Sequence, residues 1–278
     1  MKPSLSGLFL LLCAATPVQA GERYFVLQST TSVQNSGLLE HILPLFTAQT
    51  GIQVRVVAVG TGQALYHARN GDGDAVLVHD PEAERAFVRE GFGVLRCEVA
   101  RNDFVLVGPR NDPAGIRGLD DVVDAFRRIA HSRALFVSRG DDSGTHRREQ
   151  ALWRQAGIEL GVADTSWYRQ VGSGMTATLT IAANLSAYTL TDRASFLAFS
   201  HRRELEELVR GDPRLENLYA IALVNPERHP RVRFAEARSF RDWLVSPEGQ
   251  AAIAAFRLGD ERAFTPAARC DADTGSRR

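Results

Sequence analysis

The chain has 278 residues, of which 44% are hydrophobic and 24% charged, and its formal net charge is zero at pH 7. This is the composition of an ordinary globular protein, long enough for one large domain or two modest ones. A balanced charge gives no indication of a basic face for nucleic acid, so no nucleic-acid partner is expected.

The N-terminal residues have the pattern of a secretory signal peptide. Lys2 precedes an apolar run at residues 8–15, and small residues lead up to Gly21. We therefore predict a signal peptide at residues 1–20 and an exported protein. The exported part keeps two cysteines, Cys97 and Cys270. They could pair in an oxidising compartment, but the sequence leaves a disulfide and two free thiols as open alternatives.

Apolar strands that alternate with helical segments organise the rest of the chain. Strands are predicted at residues 24–28, 52–59, 74–79, 104–108, 134–137, 167–171, 187–190 and 218–224. Helices are predicted at residues 36–46, from about 64, and at 82–89, 119–129, 147–155, 176–183, 194–199, 234–244 and 247–256, and residues 267–278 are expected to be frayed. This alternation predicts an α/β fold with a mostly parallel sheet.

Two turns in the first half of the chain are rich in hydroxyl groups and glycine. Residues 29–32 place four consecutive hydroxyl side chains after a strand, and Gly60-Thr61-Gly62-Gln63 follows the next strand. Open α/β sheets bind ligands at the carboxyl ends of their strands, which favours a ligand role. The alternative is a turn that bonds its own backbone. The second turn lacks the third glycine of a dinucleotide fingerprint and the lysine of a P-loop.

The second half carries a turn that is denser in hydrogen-bond donors, at residues 138–146. Arg139 offers a guanidinium, Ser143 and Thr145 offer hydroxyls, and the start of the next helix offers unpaired N–H groups. Together these groups predict an anion site. The alternative is that the aspartates and the serine of this turn only cap the helix. A further glycine turn, residues 172–174, precedes another helix.

Two of these four turns lie in each half, so they can converge on one cleft if the halves face each other. At residues 30–32, 36–39, 59–65, 76–79, 102–105, 107–109, 138–146 and 187–193 the chain resembles the periplasmic tungstate-binding proteins of tungstate ABC transporters. The resemblance covers about residues 25–264. The sequence departs from the family pattern at Ser173 and Thr176, where a glutamine and a glycine are common, and at Ser29, where threonine is usual.

The resemblance implies a two-lobed type II periplasmic-binding-protein fold. Each lobe would be a mostly parallel sheet flanked by helices, with the ligand in the cleft between the lobes. Lobe I would comprise residues 21–105 and 220–268, lobe II residues 106–219, and residues 269–278 would form a tail. The two crossings between the lobes are expected near residues 104–107 and 219–223.

The resemblance also implies a periplasmic substrate-binding component that captures tungstate or molybdate and delivers it to a membrane permease. A monomer without catalytic residues, resident metal or cofactor is expected. The ligand-binding residues expected from the four turns are Thr30, Thr31, Ser32, Thr61, Gly62, Arg139, Ser143, Gly144, Thr145, Ser173, Gly174 and Met175.

Phosphate binding is the first alternative function. Residues 139–145 are similar to the Arg-x-Asp-Gly-Ser-Gly-Thr signature of phosphate-binding proteins. Phosphate keeps a proton near neutral pH and benefits from a carboxylate acceptor, whereas tungstate and molybdate need donors only. Asp80, Asp141 and Asp142 are candidate acceptors, so this alternative stays open.

A secreted serine-type hydrolase is the second alternative. Ser143 with His146, or Ser173 with His79, could act as nucleophile and base. However, the turn at residues 172–174 lacks the nucleophile-elbow pattern. We expect His146 on a helix surface and His79 buried and hydrogen-bonded. The histidines and cysteines show no metal-ligand spacing.

Overall fold

The computed structural model describes residues 22–160, 166–201 and 204–271, so the predicted signal peptide at residues 1–20 lies outside the described residues. Its strands are β1 (Tyr24–Thr30), β2 (Gln53–Val59), β3 (Ala75–Val78), β4 (Gly93–Pro109), β5 (Phe136–Ser138), β6 (Tyr168–Gln170), β7 (Thr189–Asp192), β8 (Leu205–Val209), β9 (Glu216–Val224), β10 (Arg257–Leu258), β11 (Glu261–Arg262) and β12 (Thr265–Cys270). Its helices are α1 (Thr31–Asn35), α2 (Leu38–Thr50), α3 (Thr61–Asn70), α4 (Pro81–Arg89), α5 (Val122–Ser132), α6 (Gly144–Gln155), α7 (Met175–Leu185), α8 (Arg193–Ala198), α9 (Phe234–Val245) and α10 (Pro247–Ala255). Among these helices, none is long and apolar enough to cross a bilayer.

Lobe I is built on a sheet with the strand order β12-β4-β9-β3-β1-β2. β1 pairs in parallel with β2 and β3, while β9 pairs antiparallel with β3 and with the first part of β4. The sheet is therefore mixed and not mostly parallel as predicted, because the long strand β4 and its partners run antiparallel. On one face Phe25 of β1 packs with Phe46 of α2 and Phe240 of α9. On the other face Val76 of β3 packs with Leu65 of α3 and Phe87 of α4. Each fully buried large apolar side chain stabilises the lobe by about 1.5–3 kcal/mol.

Lobe II has a smaller sheet and an aromatic core. β5 and β6 pair in parallel, and the last part of β4 pairs antiparallel with β7 and β8. The rings of Phe126 and Phe136 lie 4.4 Å and 5.1 Å from the Trp153 ring, between centroids. On the opposite side, Val137 in the middle of β5 packs with Met175 and Leu179 of α7. The loop that follows β5 is thus held by packing on both faces of its strand.

Strand β4 connects the two lobes. Its residues from Gly93 to Asp103 pair with β9 in lobe I, and its residues from Phe104 onward pair with β7 and then β8 in lobe II. The chain returns between the end of β8 at Val209 and the start of β9 at Glu216. A 3₁₀ turn at Pro213–Leu215, and not the apolar strand, carries the chain back to lobe I. Residues 216–219 therefore lie in the lobe I sheet, although the boundary was expected between residues 219 and 220.

Four local predictions differ from the structure. α1 begins directly after β1, where the sequence predicted a turn at residues 29–32, because Thr30 caps a helix there. α6 begins at Gly144 and not at 147, so its first turn includes the donor-rich loop. β4 starts at residue 93 and not at 104, and β8 was not predicted, because charged residues interrupt the apolar pattern of both.

The expected fraying of residues 267–278 is wrong for residues 267–270. These residues belong to β12, which pairs antiparallel with β4. Cys97 and Cys270 lie opposite each other in that pairing and form a disulfide, which resolves the two alternatives left by the sequence. The predicted tail at 269–278 thus begins inside an edge strand, and residues 272–278 lie outside the described part of the chain.

Glu149 is a buried carboxyl group in lobe II, on the helix that follows the donor-rich loop. It is 2% exposed, and its Oε1 accepts hydrogen bonds from the Tyr168 hydroxyl at 2.8 Å and Trp153 Nε1 at 3.2 Å. Burial raises the pKa of Glu149 to about 7, against the opposing effect of such hydrogen bonds. The folded state therefore holds this proton more tightly than the unfolded state, and stability falls as pH rises from the ordinary glutamate pKa through about 7.

Replacing Glu149 with glutamine should remove this pH dependence. Between about pH 5 and about pH 8, the free energy of unfolding of the parent should fall by roughly 2–3 kcal/mol more than that of Glu149→Gln. Denaturant unfolding at both pH values measures the difference. Glu159→Gln, which changes an exposed glutamate of the same lobe, is the control. The same pH dependence in the parent and in Glu149→Gln would contradict a raised pKa.

Candidate functional site

The starts of several helices from both lobes face one cleft of about 570 Å³. Its walls are formed by Thr31, Asn35, Gly60, Gly62, Gln63, Asp141, Asp142, Gly172, Ser173 and Gly174. Gly60 and Gly174 precede α3 and α7 and provide no side-chain cap, so the first N–H groups of these helices have no capping side chain from the N-cap residue. Unpaired N–H groups and the positive ends of helix dipoles favour an anion in such a cleft.

Arg139 lies at the contact between the lobes and is 1% exposed. Its Nε and Nη2 donate to Asp141 Oδ2 at 3.1 Å and 2.5 Å, and its Nη1 donates to Ser32 Oγ of lobe I at 2.9 Å. A guanidinium carries five N–H donors. Contacts within the described chain use three of them, so two N–H groups remain for a ligand.

The candidate hydroxyls accept hydrogen bonds from the protein. Thr30 accepts from Val33 N–H, Ser32 from Arg139, Thr61 from Gly144 N–H, and Ser143 from His146 N–H. A hydroxyl that accepts in this way can still donate its own proton, and the Ser143 hydroxyl donates to Asp141. By contrast, hydroxyls away from the cleft, such as those of Ser36 and Thr180, donate to backbone carbonyls. Thr31 and Ser173 line the cleft directly, and Ser32 and Thr61 lie next to its wall residues Thr31, Gly60 and Gly62 in the chain.

Thr145 provides a further donor. Its side chain is completely buried, and its Oγ1 has no hydrogen-bond partner within the described residues. A buried hydroxyl without a partner costs about 1–3 kcal/mol, which a bound ligand would recover. The neighbouring Gly144 must be a glycine, because a Cβ there would lie 2.8 Å from Cε1 of His79. That close approach lets the Gly144 N–H reach Thr61 Oγ1 at 3.2 Å across the lobes.

The three aspartates near the cleft are engaged by the protein. Asp141 accepts from Arg139 and from Ser143 N–H, and Asp142 accepts from Arg147. Asp80 caps α4 and accepts from Arg147. Burial acts to raise the pKa of Asp141, but Arg139 and the hydrogen bonds outweigh it, so the pKa lies below the ordinary aspartate value. Each of these carboxylates is thus paired with an arginine of the described chain, although Asp141 and Asp142 also line the cleft.

Arg147 forms a second connection between the lobes that the sequence did not predict. Its Nη1 donates to Asp80 Oδ2 of lobe I at 3.0 Å, while Nε and Nη2 bind both oxygens of Asp142. Asn35 and Gln63 also line the cleft without having been predicted. The only available signal was their position near the predicted turns, and the Arg147–Asp80 contact joins residues 67 positions apart in the sequence.

The predicted ligand-binding residues differ in whether their side chains face the cleft. Met175 is 1% exposed, and its side chain belongs to the lobe II core, so only its backbone at the start of α7 is near the cleft. Thr30 is a helix cap. Ser173 is exposed, and its N–H donates to the Arg139 carbonyl at 3.2 Å. The structure thus brings the turns from both lobes together and assigns Thr30 and Met175 structural contacts as well.

The serine and histidine side chains do not form the pairs that a hydrolase would use. Ser143 Oγ accepts from the His146 backbone N–H, while the His146 ring accepts from Asp142 N–H at 3.0 Å. His146 is half-buried and not on an open helix surface, because it folds back onto this loop. His79 is buried and bonds Asn217 Oδ1 at 3.0 Å, as predicted. Among the described residues, no cluster of three or more His, Cys, Asp or Glu could hold a metal ion.

Comparison with known proteins agrees with this architecture. Residues 15–248 match the PBP superfamily domain. The structure of the tungstate-binding protein TupA from Desulfovibrio alaskensis G20 is 43% identical, covers 89% of this chain and 100% of its own, and superimposes with a TM-score of 0.78. The structure titled as the tungstate ABC transporter from Geobacter sulfurreducens is 43% identical, covers 84% and 99%, and gives a TM-score of 0.77. The expected two-lobed type II fold is confirmed.

A curated relative gives the same relationship at the level of sequence. The tungstate-binding protein TupA of Peptoclostridium acidaminophilum is 39% identical over 269 residues, which cover 94% of this chain and 92% of the relative. Identity of this extent over nearly the full length of both proteins shows common descent and not a shared motif alone. The chain therefore belongs to the TupA family within the PBP superfamily.

Proposed function

We propose that this protein is the periplasmic substrate-binding component of a tungstate ABC transporter. In this role it captures tungstate, and molybdate of nearly the same size and charge, between its lobes and delivers the ion to a membrane permease. It acts as a monomer, is exported by its N-terminal segment, and needs no cofactor and no catalytic residue.

The observation that carries the proposal is the set of hydrogen-bond donors that both lobes bring to the cleft. Two N–H groups of Arg139, the hydroxyl of Thr145 and the hydroxyls of Ser32 and Thr61 are available to donate. The nearby carboxylates are engaged by arginines and backbone N–H groups. A bare dianion such as tungstate needs only donors, so the arrangement suits it. The names of relatives with 39% and 43% identity support the same substrate.

The same geometry supports a transport cycle driven by the ion. Ser32 and Thr61 belong to lobe I, whereas Arg139 and Thr145 belong to lobe II. An ion that accepts from both sets binds the closed arrangement better than an open one. Because a ligand shifts a conformational equilibrium by its differential affinity, the loaded protein would present a closed surface to the permease.

Removing the Arg139 guanidinium should weaken tungstate binding. A lost charge-assisted hydrogen bond in a closed cleft costs about 1.5–3 kcal/mol, so Arg139→Ala should bind roughly ten- to a hundredfold more weakly. Isothermal titration calorimetry measures the affinity, and circular dichroism verifies that the variant is folded. Arg169→Ala, which removes an exposed arginine of the same lobe, should change affinity by no more than about twofold. Unchanged affinity in folded Arg139→Ala would remove Arg139 from the site.

The second prediction concerns selectivity between oxyanions. At about pH 8 phosphate still carries one proton, which would lie unpaired at a cost of about 1–3 kcal/mol because arginines already bind the carboxylates of the cleft. In competition against bound tungstate, molybdate should therefore compete well and phosphate poorly. The same titration with Asp80→Asn and Asp141→Asn tests whether either carboxylate accepts the phosphate proton. Strong phosphate competition in the parent, lost in either variant, would favour the phosphate-binding alternative.

A further inference from the structure

A second cavity lies between the lobes and shares no lining residue with the cleft described above. It has a volume of about 650 Å³, and we call it the α4–α6 cavity. Its walls are formed by one face of α4 with the residues before it, one face of α6, and Phe104 of the connecting strand. Because α4 belongs to lobe I and α6 to lobe II, the cavity is complete only when the lobes are closed.

Arginine dominates the charged lining of the α4–α6 cavity. Five arginines face it: Arg85, Arg89, Arg147, Arg148 and Arg154. Two carboxylates also line it, from Asp80 and Glu82, and Asp80 is already bound to Arg147. The cavity therefore carries an excess of positive charge contributed by both lobes, although the whole chain is neutral.

Most of these guanidiniums have no carboxylate partner. Within the described chain, Arg85, Arg89 and Arg154 are exposed and form no ion pair. Arg148 is half-buried, donates to the Glu216 carbonyl at 3.5 Å and lies with its Cζ 6.0 Å from the Phe104 ring centroid. The carboxylates of Asp80 and Glu216 attract it without forming an ion pair within 4.0 Å in the described chain. Cations that face each other across a cavity repel, so closure of the lobes is opposed here unless an anion lies between them.

The floor of the cavity contains an unused polar group. His79 is 4% exposed and lines the cavity, and its Nε2 has no hydrogen-bond partner within the described residues. Its other ring nitrogen is engaged by Asn217. Because Asn217 Oδ1 accepts, His79 Nδ1 donates, and burial lowers the pKa of His79, so Nε2 of the neutral ring can only accept a hydrogen bond. It could accept from a hydroxyl group of a ligand but not bind an anionic oxygen.

We propose that the α4–α6 cavity binds a small organic polyanion, meaning a carbon frame that carries two or more carboxylate or phosphate groups. The unpaired guanidiniums suit several anionic groups, because arginine binds carboxylates and phosphates bidentately. The volume lies in the range of small-molecule sites and exceeds what one tetrahedral oxyanion fills. Apolar walls from Phe104, Ala86 and Ala151 suit the carbon frame.

This second site would act together with the first. A polyanion that contacts α4 and α6 at once binds the closed arrangement better than an open one. Tungstate bound between the lobes would favour the same arrangement, so each ligand should raise the affinity for the other by the same factor. The coupling rests on the proposed function, whereas binding of the polyanion itself does not.

The test is a calorimetric titration with citrate and with fructose 1,6-bisphosphate at constant ionic strength, first without tungstate and then with saturating tungstate. The proposal expects at least one probe to bind the parent more tightly than about 1 mM, while acetate, with one charge, does not. Citrate and the bisphosphate distinguish carboxylate from phosphate as the preferred group. Failure of both probes to bind, with or without tungstate, would overturn the proposal.

Matched arginine variants locate the binding. The double variant Arg85→Ala/Arg154→Ala removes one unpaired guanidinium from α4 and one from α6. It should lower the affinity for the probe at least about tenfold. Arg231→Ala/Arg257→Ala removes two exposed arginines outside the cavity and should change the affinity by less than about twofold. Equal losses in both double variants, or no loss in the first, would overturn the proposal. Tungstate titration of the same variants without a probe is a separate test of the first site.

Discussion

The structure depends on how the buried guanidinium of Arg139 is satisfied. A buried charge without partners is strongly unfavourable, so its surroundings must supply acceptors. Asp141 supplies them from the same loop, and Ser32 supplies one from the other lobe. Holding the side chain in this way fixes the direction of its remaining donors. It also makes the contact between the lobes part of the site, because Ser32 leaves Arg139 when they separate.

The charge of Arg139 does not by itself explain anion binding. Paired with Asp141, the guanidinium adds no net local charge, so a dianion in the cleft depends on directed hydrogen bonds. These come from hydroxyls that accept from backbone or guanidinium N–H groups, and from helix starts without side-chain caps at Gly60 and Gly174. Donors fixed by folding need no reorganisation when the ion arrives. The role of the aspartates is then to orient arginines, whose positive charges offset those of the carboxylates beside the ligand.

Much of this arrangement could be predicted from the sequence. Hydroxyl and glycine turns after strands identified both halves of the cleft, because their residue types reflect local backbone needs. Local patterns could not show that the Thr30 side chain caps α1 or that the Met175 side chain lies in the core. Both depend on the residue at which α1 or α7 begins. The Arg147–Asp80 ion pair and the Cys97–Cys270 disulfide join distant segments, and only the three-dimensional fold reveals them.

The central claim is that one oxyanion binds between Arg139 and the hydroxyls of both lobes. The most direct measurement is a crystal structure of the tungstate complex, with anomalous diffraction recorded at a tungsten absorption edge. The account predicts one strong anomalous peak in the cleft, with ligand oxygens about 2.7–3.2 Å from the Arg139 guanidinium and from Thr145 Oγ1. A peak elsewhere, with both groups out of reach of the ion, would contradict it.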